Sequence, residues 1–299
     1  MGKILSGILI VGIIGFSIWY FAVKPYDYSI AFTTNTPGGI IYERIEYWQY
    51  EHFDKAEILE ENFDEQVKHL VKFQDNPLII DWNISQLNDS VNKVKAIVSH
   101  PESLISSRFS ILIGENKEQD SLKKELEIIR KSLDKEKNNY NIEIIGETKA
   151  PKADYCACIG LKGKLQQKAM LMMTNIGYLS DYVLEHDLEM PAKPRVLVKS
   201  WDKGTNEIKF DFCFPIVKKE GLPETEKIKL RTLPSFNAVH TIFNGNYLFT
   251  HFAWYKLQDY AKANQLKISD QVLEVFNNNP EMGGNSIEWT TDIYTLIRD

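Results

Sequence analysis

Residues 4–23, from Ile4 to Val23, carry no charged side chain and consist of Ile, Leu, Val, Gly, Ala, Ser and aromatic residues. A helix rises about 1.5 Å per residue, so about 20 such residues span the roughly 30 Å hydrocarbon core of a bilayer. A cleaved leader would have a shorter apolar region, about 7–15 residues, followed by small residues at its cleavage site. This stretch closes instead on Trp19, Tyr20 and Phe21, followed by Lys24-Pro25. Aromatic residues suit the membrane interface. The expectation is one uncleaved anchor over residues 1–25, with residues 4–23 in the membrane. Lys3 and the amino terminus outweigh Lys24 with its neighbour Asp27. That balance places the amino terminus inside and the soluble domains outside the cytoplasm.

The chain as a whole has the composition of a folded protein, 43% hydrophobic and 25% charged. Its formal net charge of −6 argues against nucleic acid as a partner, since phosphate binding needs a concentrated basic face. Cys156 and Cys158 stand two apart on a predicted strand, with no histidine at ligand spacing, and Cys213 is remote. They are read as small buried apolar residues, and no metal site is expected. His52, His69, His100, His186, His240 and His251 are scattered. Neither a Gly-x-Ser-x-Gly elbow nor a phosphate-cradling glycine loop appears. No catalytic residue and no cofactor is expected.

Between residues 26 and 146 the pattern is strand, helix, meander, helix. Tyr28–Thr34 reads as a strand, and Thr36-Pro37 opens a helix as N-cap and first helical residue. Alternating runs at Gln66–Phe73, Leu78–Ile84, Val91–Val98 and Arg108–Ile113 predict an antiparallel sheet with one wet face. In Glu118–Asn138, Leu122, Leu126, Ile129 and Leu133 fall on one helical stripe. On Ile30–Glu43, Val91–Ser99 and the helix ending near Lys137, this region resembles the helix-grip, START-like superfamily of polyketide cyclases (SRPBCC). It departs from that family at the acidic Trp48–Glu61, where a Trp-containing segment and a glycine-rich hairpin are usual. The resemblance therefore implies a fold and a spacer role more than a ligand cavity. Ile142–Asp154 reads as a joint between domains.

Over residues 151–299 one pattern occurs twice. Cys156–Lys162, Leu165–His186, Arg195–Trp201 and Glu207–Ile216 give strand, helix, strand, strand; Val239–Phe243, Tyr247–Gln265, Gln271–Phe276 and Ile287–Ile297 give the same order again. Gly163 and Gly245 close the first strand of each copy. Leu233-Pro234, His240–Gly245 followed by Tyr247, Glu274-Val275-Phe276 with Asn279-Pro280, and Thr291–Tyr294 occur in the order found in the GyrI-like, or AraC-type effector-binding, family, and Phe214-Pro215-Ile216 matches a strand end of its first module. On these motifs the region resembles that family.

The fold class expected is α+β: a transmembrane helix, a divergent START-like helix-grip domain and a duplicated GyrI-like domain. The resemblance implies a cleft between two modules for a small apolar, aromatic or cationic molecule, with Glu274 as its acidic group. A lone carboxylate on the apolar strand Val272–Phe276 is costly to bury without a compensating cation, which a bound ligand would supply. Tyr247, Phe276, Trp201 and Trp289 are the further candidate ligand contacts. The family's hydrolytic members pair the glutamate with a tyrosine; here Phe276 takes that position. Binding is therefore favoured over hydrolysis, and a protein-interaction module with degenerate pockets is the alternative.

Overall fold

The computed structural model describes residues 2–52, 56–73, 76–88, 90–101, 105–114 and 116–298. They form two compact units, one of Met1–Asn35, Ile41–Leu87 and Val91–Leu133, the other of Thr36–Ile40, Asn88–Ser90 and Asp134–Asp299.

The first unit opens with α1 (Gly2–Ile18), extended by a π-helical turn over Trp19–Val23. The helix from Ile4 to Val23 has a mean hydropathy of 2.2 and is long and apolar enough to cross a membrane. After it come β1 (Tyr28–Thr34), α2 (Gly38–His52), β2 (Glu57–Asn62), β3 (Gln66–Phe73), β4 (Asn76–Gln86), β5 (Asn92–Ser99), α3 (Ile105–Leu112) and α4 (Lys117–Glu136). The five strands form one antiparallel sheet in the order β1-β5-β4-β3-β2. Of the acidic Trp48–Glu61 segment, Glu57–Glu61 belong to β2, while residues 53–55 lie outside the described residues.

Period-2 alternation sets the faces of this sheet. Val67, His69 and Val71, then Leu78, Ile80 and Trp82, then Val94, Ala96 and Val98 are buried, while their neighbours are more exposed. Trp48 of α2 stands edge-on to Trp82 at 5.5 Å, and Leu122, Leu126, Ile129 and Leu133 form the buried stripe of α4. Arg108–Ile113, read from sequence as a strand, departs from that reading: residues 108–112 belong to α3. The helical turn carries Arg108 into a buried ion pair with Asp27, a long-range contact that local alternation does not register.

His69 is wholly buried, and neither ring nitrogen has a hydrogen-bond partner. Burial holds its pKa down at about 4. Because the folded value lies below the unfolded one, the contribution is complete above about pH 6.5 and is lost as pH falls towards 4. The loss is on the order of 3 kcal/mol. In thermal melts across pH 4–7, His69→Leu is expected to flatten the acid limb relative to wild type; parallel curves would show that His69 titrates normally.

At the foot of the apolar helix lies a buried polar network. Arg108 Nη1 donates to the carbonyl oxygens of Tyr20 and Phe21 at 2.9 and 3.1 Å, and its Nε to Asp27 Oδ1 at 2.6 Å. Asp27 Oδ2 accepts from the His100 backbone N–H at 2.9 Å and meets His100 Nδ1 at 2.8 Å. His100 Nε2 lies 3.3 Å from Glu118, whose other oxygen accepts from Tyr28 at 3.4 Å. The guanidinium thus satisfies carbonyls that a helix end leaves unpaired.

The second unit comprises β6 (Tyr140–Lys149), β7 (Ala153–Lys164), α5 (Lys168–Glu185), β8 (Arg195–Asp202), β9 (Glu207–Pro215), β10 (Ile228–Leu233), β11 (Asn237–Gly245), α6 (His251–Ala263), β12 (Ile268–Phe276) and β13 (Thr290–Ile297). Its strands form one sheet in the order β10-β7-β9-β8-β12-β13-β11-β6. Strand, helix, strand, strand occurs twice, and β8 and β12 join the two sets edge to edge, Val196 opposite Glu274. Gly245 has φ +152°, and a Cβ there would come within 2.8 Å of the Phe243 ring, so this junction needs glycine.

Two sequence expectations are corrected here. Most of Ile142–Asp154, read as a joint, is β6, an edge strand hydrogen-bonded to β11, followed by the start of β7. Cys158 and Cys213, read as buried thiols, face each other across β7 and β9 and form a disulfide, leaving Cys156 free and buried. Their sequence separation of 55 hides a register that only the folded sheet reveals.

Candidate functional site

The site grows from β12. Alternation sends Val272, Glu274 and Phe276 to the face carrying α5 and α6, and Leu273 and Val275 to the reverse face with the cysteines. At the end of β12, the Phe276 ring lies 5.0 Å from that of Tyr247, which in turn lies 5.4 Å from that of Trp289. The Tyr247 hydroxyl is fixed by the Asn278 backbone N–H, which donates to it at 3.0 Å, with the carbonyls of Asn278 and Thr290 at 3.2 and 3.3 Å as acceptors. Burial raises the Tyr247 pKa above that of a free phenol, so the group stays neutral.

These three aromatics border a cavity of about 610 Å³. Phe212 and Phe214 of β9 and Met172, Met173 and Ile176 of α5 supply further apolar wall, and Asn246 and Asn277–Asn279 a polar margin. Lys193 is the one charged side chain, and no carboxylate occurs, among the described lining residues. Methionines on a helix give such a wall an adaptable, polarizable surface.

Tyr247, Phe276 and Trp289 are thus brought together, whereas Glu274 and Trp201 are placed elsewhere. Trp201 is buried, with its ring 5.7 Å from Trp254 and 5.8 Å from Tyr255, and its indole N–H donates to Asn206. It belongs to the core. Glu274 is fully buried beside Lys168, whose ammonium lies 2.5 Å from Oε1, donates to Thr250 at 2.7 Å and sits 4.5 Å from the centre of the Trp254 ring. Trp254 Nε1 donates to the same Oε1 at 2.9 Å. Burial pushes the Lys168 pKa down, and Glu274 opposes that shift.

The cation demanded by a buried glutamate is therefore part of the chain. Lys168 escaped the sequence reading, although a signal existed: it is a lone charge opening the apolar helical run Ala169–Thr174. A buried carboxylate on one element and a single lysine on an apolar helix are natural complements.

No protein-family model matches the sequence, and no curated protein matches it. Solved structures of similar shape include the EcmrR C-terminal domain, at 17% identity over 54% of this chain and 98% of that one, TM-score 0.43. An integron cassette protein from the mobile metagenome of Vibrio cholerae is similar at 14% identity over 53% of this chain and 99% of that one, TM-score 0.35. SAV2435 bound to tetraphenylphosphonium is similar at 11% identity over 53% of this chain and 93% of that one, TM-score 0.33. At these scores the likenesses carry no function to this chain.

Proposed function

We propose that this chain is a membrane-anchored binding protein whose second unit, a GyrI-like effector-binding domain, captures a neutral, apolar, aromatic small molecule. The observation that carries the reading is a 610 Å³ cavity walled by Tyr247, Phe276 and Trp289 with no carboxylate among its described lining residues. Since Lys168 already neutralises Glu274, a cationic ligand gains no counter-ion here and pays for desolvation. The doubled strand-helix-strand-strand order and the motifs around Tyr247 and Glu274 support the family reading. The order β1-β5-β4-β3-β2 under a long final helix supports a helix-grip, START-like first unit serving as a spacer. Residues 4–23 would hold the chain in the membrane, and the Cys158–Cys213 disulfide supports soluble domains outside the cytoplasm, because disulfides persist in oxidising compartments.

Binding is favoured over the interaction-module reading because the cavity is open and not filled by side chains. It is favoured over hydrolysis because Glu274 Oε1 is engaged by Lys168 and Trp254 and a phenylalanine stands at 276.

The test uses full-length protein labelled with methyl-¹³C methionine, titrated with 1-naphthylmethanol and with its trimethylammonium counterpart. The alcohol is expected to shift Met172 and Met173 and to bind more tightly than the cation. Ala169→Trp, which fills the cavity from α5, is expected to weaken it about tenfold, or 1.4 kcal/mol. Preference for the cation, or indifference to Ala169→Trp, would overturn the proposal.

A further inference from the structure

A second hollow, of about 510 Å³, lies on the reverse face of β12. Val275, Tyr294, Met190, Arg195, Lys193 and Asp292 are among its lining residues. Arg195, the first residue of β8, is 6% exposed. Its Nη1 donates to the carbonyl oxygens of Pro151 and Lys152 at 3.0 and 3.1 Å, and its Nε has no hydrogen-bond partner. Among the described residues no carboxylate pairs with it.

The acidic groups that act on Arg195 are the Cys156 thiol and the Tyr294 hydroxyl, and both are neutral at pH 7. Burial pushes the thiol up to about 11 and raises the phenol as well. Asp292, the carboxylate at the hollow, is engaged elsewhere. His240 Nε2 lies 2.7 Å from one of its oxygens and Asn277 Nδ2 donates to the other at 2.7 Å, while the His240 ring stacks on Tyr294 at 4.5 Å. A buried guanidinium held only by neutral carbonyls is costly. The hollow is therefore lined by a desolvated guanidinium with no carboxylate partner among the described residues, by the exposed Lys193, and by the aromatic and aliphatic side chains of Tyr294 and Val275.

We propose that this hollow is a second small-molecule site that takes a small organic carboxylate, its anion on Arg195 and Lys193 and its apolar body against Tyr294 and Val275. A guanidinium suits this task because its planar fork matches a carboxylate, and the charge-assisted bond is stronger where water is excluded. The hollow shares Lys193 and Met190 with the aromatic cavity, but Arg195, Val275 and Tyr294 border it alone, so the proposal does not depend on what that cavity binds.

The experiment titrates phenylacetate, phenylacetamide and inorganic phosphate separately into full-length, methyl-¹³C-methionine-labelled protein. Met190 borders both hollows, whereas Met172 and Met173 border the aromatic cavity alone, so phenylacetate in this hollow is expected to shift Met190 while Met172 and Met173 stay in place. Arg195→Lys is expected to weaken it at least about tenfold and Lys193→Met about threefold. Lys193 is exposed, so its variant, read with Met172 and Met173 unmoved, keeps the test decisive should Arg195→Lys fail to fold. Phenylacetamide binding as well as phenylacetate would overturn the anion's role, and phosphate binding as well as phenylacetate would overturn the choice of a carboxylate with an apolar body. Movement of Met172 and Met173 instead of Met190, indifference to both substitutions, or no binding at all would each overturn the site. Failure of 1-naphthylmethanol to bind would leave these results unaffected and count against the aromatic cavity alone.

Discussion

Lys168→Met is expected to destabilise the second unit by about 3–5 kcal/mol, the cost of leaving a buried charge without its partner. Glu274 is wholly inside the fold, and its Oε2 has no hydrogen-bond partner, so the lysine is its source of positive charge among the described residues. Without the ammonium, Trp254 Nε1 and its single 2.9 Å hydrogen bond remain. The carboxylate is then a buried charge without a counter-ion. Removing both charges, as in Lys168→Met with Glu274→Gln, leaves an amide that can still accept from Trp254. The double variant should recover most of the loss, because replacing a buried pair with groups of similar volume is often close to neutral. Urea denaturation of the single and double variants measures this directly. If Lys168→Met melted like wild type, the pair would not be holding the helix face together, and the argument for a neutral ligand would lose its premise.

That pair also shows where sequence reading reaches and where it stops. The apolar strand Val272–Phe276 flags Glu274 as a charge in need of a cation, a correct statement of energetics that leaves the source of the cation open. Lys168 lies 106 residues earlier, and only the pairing of β8 with β12 and the packing of α5 over them bring the two within 2.5 Å. Trp201 is placed away from the aromatic cavity for a related reason. Strand alternation says which face a tryptophan takes, but not that Trp254 and Tyr255 of α6 will cover it. Tyr247, Phe276 and Trp289 were legible because each sits at an element end fixed by glycine, asparagine or proline signals, and such ends converge at one edge of a sheet. The reverse-face hollow was not legible: Asp292 and Tyr294 fall in the Thr291–Tyr294 motif, but nothing local ties them to Arg195, and their meeting depends on cross-strand register.

The second large effect concerns the foot of the apolar helix, where Arg108→Ala is expected to cost the first unit about 3 kcal/mol or more at pH 7. The substitution strips a charge from Asp27, which is 3% exposed, and unpairs the carbonyls of Tyr20 and Phe21. Asp27 would retain His100, so the loss should deepen as that imidazole deprotonates. Hydrogen bonds to Asp27 and then to Glu118 raise the His100 pKa to about 9. The folded value lies above the unfolded one, so the contribution is complete below about pH 6.5 and disappears as pH rises through 9. Between pH 7 and pH 10 the wild type should lose roughly 2–3 kcal/mol from this source. His69 works in the opposite direction below pH 6.5, and the hydrogen bonds and charge that hold the Asp27 pKa down make a further contribution that is lost as pH falls through its folded value. The first unit should therefore be most stable near neutrality, with an acid limb owed largely to one buried histidine and an alkaline limb owed to another. Urea midpoints across pH 5–10 for wild type, His100→Gln and Arg108→Ala test the alkaline half. His100→Gln should lower and flatten that limb, and Arg108→Ala should steepen it. An alkaline limb unchanged in both variants would mean that the network is a surface feature and that the apolar helix is joined to the folded unit by chain connectivity alone.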